Sequence, residues 1–101
     1  MNKQKTSNKQ QVKGFTLAWT DNAGEDYPYW QKQDMKILEE INNLLEECQR
    51  HPFTGTGKPE PLRNNLTGFW SRRINKEHRL VYLPEDKAIY VLACRFHYGL
   101  D

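Results

Sequence analysis

Between residues 37 and 48, Ile37, Leu38, Ile41, Leu44, Leu45 and Cys48 recur at the spacing of a single helical stripe. Lys36, Glu39, Glu40, Asn43, Glu46 and Glu47 fill the remaining faces. A helix that is apolar on one side only has to lie on another layer, so the rest of the chain must supply a surface for it to cover. Pro52 sets its C-terminal limit. Upstream, Asp21 can cap another helix running through Asp26 and Trp30. Gly24 and Pro28 lie inside that segment and predict a helix that starts late or bends.

Outside the helices the period changes to two. Phe15, Leu17 and Trp19 alternate with Thr16 and Ala18, the pattern of a strand with one buried face. Three more strands are predicted over residues 68–74, 79–83 and 89–96, joined by short polar turns at residues 75–77 and 84–87. Turns this short favour antiparallel neighbours. The expected fold is α+β, a small antiparallel sheet with two N-terminal helices packed on it, in the order β-α-α-β-β-β.

Residues 1–14 hold four lysines, no acid and almost no apolar side chain, so a flexible Lys-rich tail is expected there, followed by one domain over residues 15–101. No apolar run approaches the ~20 residues that span a bilayer, and the N-terminus lacks the apolar centre of a secretory signal. These features predict a cytoplasmic protein with no membrane association. Cys48 and Cys94 lack metal or redox spacing and are expected to be buried, reduced packing residues.

The formal net charge of +2 conceals an uneven distribution. Residues 15–48 carry eight acids and two bases, whereas residues 49–101 carry nine bases and five acids. A polyanion is therefore expected to meet the C-terminal half. There, Glu60 stands between Pro59 and Pro61 in the turn-rich stretch TGTGKPEP, on a restrained, extended backbone. It is either a preorganised base or a solvated loop carboxylate. In GFWSRRINKEHRLVY, strand alternation puts Arg73 with Phe69 and Ser71 on one face, and Arg72 with Trp70 and Ile74 on the other. One face can bind while the other packs; alternatively, both edges are simply solvated. His97 and Tyr98 follow the last apolar strand, where an imidazole can exchange a proton near neutral pH or merely end the strand. His51 and His78 read as turn or surface residues.

Glu, Arg and His together suit RNA cleavage in which a 2′-hydroxyl attacks the adjacent phosphate, a reaction that needs a base, a cation and an acid. No metal-ligand cluster, P-loop or nucleophile elbow is present, so no metal and no cofactor is expected. The segments PFTGTGKPEPLRNNLTGFWSRRINKEHRLVY, ACRFHY and YWQKQDMKILEEINNLLEECQRHPF resemble, in order and spacing, the YoeB/Txe branch of the RelE-like toxins. The likeness runs from about Phe15 to Tyr98. It implies a RelE-like toxin domain that cleaves messenger RNA in the ribosomal A site, against the 16S rRNA. It also implies Glu60 as general base, His97 as general acid, Arg79 as transition-state cation and Tyr98 as an orienting or stacking group. Lys58, Arg63 and Arg73 are then phosphate contacts. The implied protein partners are a YefM-type antitoxin with an acidic tail and a second copy of the chain, the acidic helical half being available for a homodimer. A noncatalytic RNA- or protein-binding module and a gyrase-poisoning toxin are the rival functions. Neither needs a proton donor and a proton acceptor together.

Overall fold

The computed structural model describes residues 14–96. The expected tail therefore lies outside the described residues except for Gly14, and so do His97 and Tyr98. The chain runs through strand β1 (Thr16–Trp19), helices α1 (Asp21–Gln33) and α2 (Met35–Arg50), then strands β2 (Glu60–Pro61), β3 (Trp70–Arg73), β4 (Arg79–Glu85) and β5 (Ala88–Ala93). A single 3-10 turn, Asn64–Leu66, separates β2 from β3.

The α+β layout with two helices is as expected, but the sheet is mixed rather than wholly antiparallel. Its order is β1-β5-β4-β3-β2, and β1 runs parallel to β5 with Thr16 opposite Ala88 and Trp19 opposite Val91. Short turns dictate the antiparallel pairs β3–β4 and β4–β5. The direction of β1 is set instead by the return path through both helices, which no local turn signals. The second addition is β2, two residues long and paired antiparallel with β3.

Helix α1 begins one residue earlier than its apparent signal. Thr20, not Asp21, is the cap: its hydroxyl accepts from the Ala23 amide at 3.3 Å and donates to the Leu92 carbonyl at 3.0 Å, tying the helix start to β5. Pro28 neither delays nor interrupts the helix. Gly24 and Pro28 lie one turn apart on the exposed side, so the carbonyl that Pro28 cannot serve faces solvent, while Ala23, Asp26 and Trp30 anchor the opposite side. Asp34 then caps α2 by accepting from the Lys36 and Ile37 amides.

The apolar stripe of α2 lies where its spacing puts it. Leu38, Ile41, Leu44, Leu45 and Cys48 are buried together with Leu80, Tyr82, Ile89, Val91 and Cys94 from the sheet. Each fully buried aliphatic side chain of this kind contributes about 1.5–3 kcal/mol. Cys48 and Cys94 are buried free thiols, as expected, and burial pushes them up to about 11 and about 12 respectively.

The face of β3 that packs carries a charge into this core. Arg72 is fully buried, and all five of its N–H groups find acceptors. Nε donates to the Tyr82 hydroxyl at 3.0 Å. Nη1 donates to Glu47 Oε1 at 2.7 Å and to the Thr56 carbonyl at 3.1 Å, and Nη2 donates to the His51 and Thr54 carbonyls at 2.6 and 2.8 Å. The Tyr82 hydroxyl in turn donates to the Pro52 carbonyl at 2.7 Å. The loop after α2 is thus wrapped around one guanidinium. Gly57 permits the wrapping: it has φ +81°, and a Cβ there would lie 3.0 Å from the Cβ of Arg72 and 3.0 Å from Leu44.

Two predictions follow from this cage. Arg72→Met strands three carbonyls and the Glu47 carboxylate, so urea unfolding should show a loss of about 3–5 kcal/mol; wild-type stability would refute the cage's importance. The second concerns acid. Hydrogen bonds from the Thr56 hydroxyl and amide, and the charge of Arg72, hold the Glu47 carboxyl below its ordinary range, against the effect of burial. Its contribution to stability is complete above the ordinary glutamate range and is lost as pH falls through the lower folded-state value. Burial shifts Asp26 the opposite way, upward, so its protonation on acidification favours the fold. Acid titration of Glu47→Gln should therefore show a shallower loss of stability below pH ~4 than the wild type.

Candidate active site on the helix-free face of the sheet

Strand register decides which side chains meet. Leu80, Tyr82, Ile89 and Val91 face the helices. Val81 lies between Leu80 and Tyr82 and therefore points the other way, opposite Ala93 on one side and Ser71 on the other. Glu60 is the register partner of Ser71, and Arg73 is the partner of Arg79. Glu60, Ser71, Arg73 and Arg79 consequently share the helix-free face, drawn from three adjacent strands.

Glu60 owes its place to the Arg72 cage and to the prolines. The caged loop ends where the Gly57 carbonyl accepts from the Arg73 amide at 2.6 Å, and Lys58 turns the chain in a left-handed conformation at φ +51°. Pro59 and Pro61 then hold Glu60 extended on the outermost strand, where a missing N–H costs no ladder bond. The Leu62 amide donates to the Phe69 carbonyl at 2.9 Å and closes the pairing. The Glu60 carboxylate is exposed.

Arg79 is fixed at the start of β4. Its Nη1 donates to the carbonyls of Asn75 at 2.8 Å and His78 at 3.2 Å, folding the side chain back over the β3–β4 turn. Partial burial and repulsion from Arg73 lower its pKa, and the Glu60 carboxylate opposes that shift. The guanidinium nevertheless stays charged at any physiological pH. It thus lies within electrostatic range of the proposed base and of a second arginine.

Of the remaining expected site residues, Lys58 and Arg63 are exposed on either side of Glu60 along the chain. No hydrogen bond or ion pair joins them to the Glu60–Arg79 group among the described residues. His97 and Tyr98 lie outside the described residues, yet the segment leading to them is pinned at both ends. The Cys94 amide donates to Asp26 Oδ2 at 3.1 Å, and the Cys94 carbonyl accepts from Trp30 Nε1 at 2.9 Å. The Phe96 amide donates to His78 Nδ1 at 2.8 Å, and the Phe96 carbonyl accepts from the Arg79 amide at 3.0 Å.

His78 corrects the expectation of a surface histidine. It is 6% exposed, with its ring edge-on to Trp30 at 4.7 Å between centroids, and its neighbours are brought together only by the tertiary fold. Because Nδ1 accepts a hydrogen bond, the ring is in its neutral form there, with the proton on Nε2. Asp26, Trp30 and His78 hold the segment that leads to His97 through contacts that no local sequence motif announces. Among the described residues, no group of three or more His, Cys, Asp or Glu side chains could hold a metal ion. No described helix is long and apolar enough to cross a membrane.

Known proteins carry the same chain pattern. The sequence family described as YoeB-like toxin of bacterial type II toxin-antitoxin system matches residues 19–98. Toxin YoeB of Escherichia coli strain K12 is 52% identical over 82 residues, which is 81% of this chain and 98% of that protein. Among solved structures, the YoeB dimer from Staphylococcus aureus superposes with a TM-score of 0.77 at 46% identity, over 83% of this chain and 98% of that one. The YoeB–YefM complex from the same organism gives a TM-score of 0.77 at 45% identity, over 83% and 98% of the two chains. Matched over nearly all of its described length in sequence and in fold, the chain belongs to the YoeB-like toxins of bacterial type II toxin–antitoxin systems.

Proposed function

We infer that this protein is a ribosome-dependent endoribonuclease that stops translation by cutting messenger RNA in the ribosomal A site, in the cytoplasm. The 2′-hydroxyl of one nucleotide attacks the adjacent phosphate, and the 5′-oxygen of the next departs. Glu60 takes the proton of the attacking hydroxyl, and Arg79 neutralises the charge that grows on the phosphoryl oxygens. His97 donates a proton to the leaving oxygen, and Tyr98 orients or stacks on the substrate. No metal takes part. Lys58, Arg63 and Arg73 contact backbone phosphates.

The observation that carries this reading is the convergence of Glu60 with Arg79 and Arg73 on one face, by register and by electrostatic range. A base placed within the field of two guanidinium groups is what a reaction at a phosphodiester requires. A module that only bound RNA would have no use for the carboxylate, since it repels phosphate. The excess of bases in residues 49–101 supports the same side for the nucleic acid.

The partners follow from charge and from relatives. The S. aureus relative assembles with YefM; here a YefM-type antitoxin with an acidic segment would cover the cationic face and silence it. The S. aureus relative forms a dimer, and in this chain the acidic helical half is available for a homodimer.

Cleavage on programmed ribosomes, mapped on the messenger, is the direct test. Glu60→Gln and His97→Gln should each slow cleavage on the order of a hundredfold or more while ribosome binding stays near wild type. Normal rates in both variants would overturn the assigned roles. Removal of residues 1–13, which leaves Gly14 against Gln49, should change neither melting temperature nor cleavage rate; a loss of either would give the tail a role.

A further inference from the structure

The helix-free face contains a group that the proposed chemistry leaves unused. Ser71 is 4% exposed, and its hydroxyl has no hydrogen-bond partner among the described residues. It sits at the centre of the site, opposite Glu60 on one side and Val81 on the other, two residues along β3 from Arg73. A buried hydroxyl without a partner is costly, and an apolar side chain at the middle of a strand would pack there without that cost. The position is therefore poorly explained by stability alone.

Glu60 is the movable group within reach. Cross-strand partners have Cβ atoms about 4.5–5.5 Å apart, and a glutamate side chain can span that gap by changing rotamer. In the structure the Glu60 carboxylate is exposed. We propose that Ser71 is a positioning residue for the base: when substrate covers the site, its Oγ–H donates to one carboxylate oxygen of Glu60, leaving the other oxygen for the 2′-hydroxyl. This rests on the nuclease reading and adds to it the means by which a base on an exposed edge strand is held still.

The hydrogen bond has a direction that can be measured. Donation to a carboxylate favours its ionised form, so losing the donor makes the base harder to ionise. The charged groups acting on Glu60 from the same face are Arg73 and Arg79, with Lys58 and Arg63 along its own segment; none of these changes in the variants below.

Single-turnover cleavage on programmed ribosomes should be followed across pH for the wild type, Glu60→Gln, Ser71→Ala and Ser71→Thr, together with ribosome affinity and thermal unfolding. Ser71→Ala should cut about tenfold more slowly, with unchanged ribosome affinity, a melting temperature equal to or above wild type, and the acid limb of the rate profile moved to higher pH. Ser71→Thr, which keeps the hydroxyl, should recover most of the rate. The proposal is overturned if Ser71→Ala cuts at full rate while Glu60→Gln does not. It is equally overturned if the loss in Ser71→Ala follows a lowered melting temperature with the acid limb in place. A wild type that leaves messenger intact, or a Glu60→Gln that cuts normally, would remove the nuclease reading itself, and this positioning role with it.

Discussion

One buried guanidinium organises the molecule. Arg72 joins the end of α2 through Glu47, the following loop through the carbonyls of residues 51, 54 and 56, and β4 through Tyr82. A charge without water is tolerable only when its donors are all satisfied, and here each has an acceptor. The loop cannot leave this arrangement piecemeal, because each released carbonyl leaves a buried donor unpaired. The last element the cage controls is the short strand that carries Glu60, so a structural ion pair on one side of the sheet sets the approach of a carboxylate on the other.

Adjacent residues of β3 therefore have opposite duties. Arg72 is spent on architecture, whereas Arg73 remains on the face with Glu60 and Arg79. The far side of the site is arranged by other means. Asp26 and Trp30 from α1, with His78 and the Arg79 backbone, hold both peptide groups at the end of β5. Arg95 lies over the Tyr29 ring at 3.5 Å, adding a cation–π contact between the same helix and this segment. The segment entering His97 is thus referenced to the residue next to Arg79 rather than left to follow the strand.

Much of this was legible in the residues themselves. The α2 stripe and the later period-two strands predicted the layers, and alternation correctly separated Arg72 from Arg73, because both depend on local geometry; the expected buried face of Phe15, Leu17 and Trp19 fails at Trp19, which is exposed. What escaped depended on distant partners. Nothing near Arg72 announces that Glu47 will meet it, and nothing near His78 announces Trp30 and Phe96, so a buried histidine passed for a turn residue. Thr20 outcompeted Asp21 as a cap because β5 supplied its hydroxyl with an acceptor. Strand β2 is two residues long, preceded by one proline and ending in another, and so too short to display a period, although it fixes which face Glu60 occupies. The direction of β1 was equally hidden, since no hairpin turn leads into it.

Among the described residues, that first strand finds its one strand partner in the last, with Thr16 bonded to Lys87 across a separation of 71 residues. Contacts so remote in the chain require closure of a very large loop before they return any stabilisation. During synthesis, neither the complete sheet nor the clamp at the end of β5 can assemble until β5 itself has emerged. A member of a toxin family is in this way kept without the finished face that carries Glu60, Arg73 and Arg79 until its last described strand is in place.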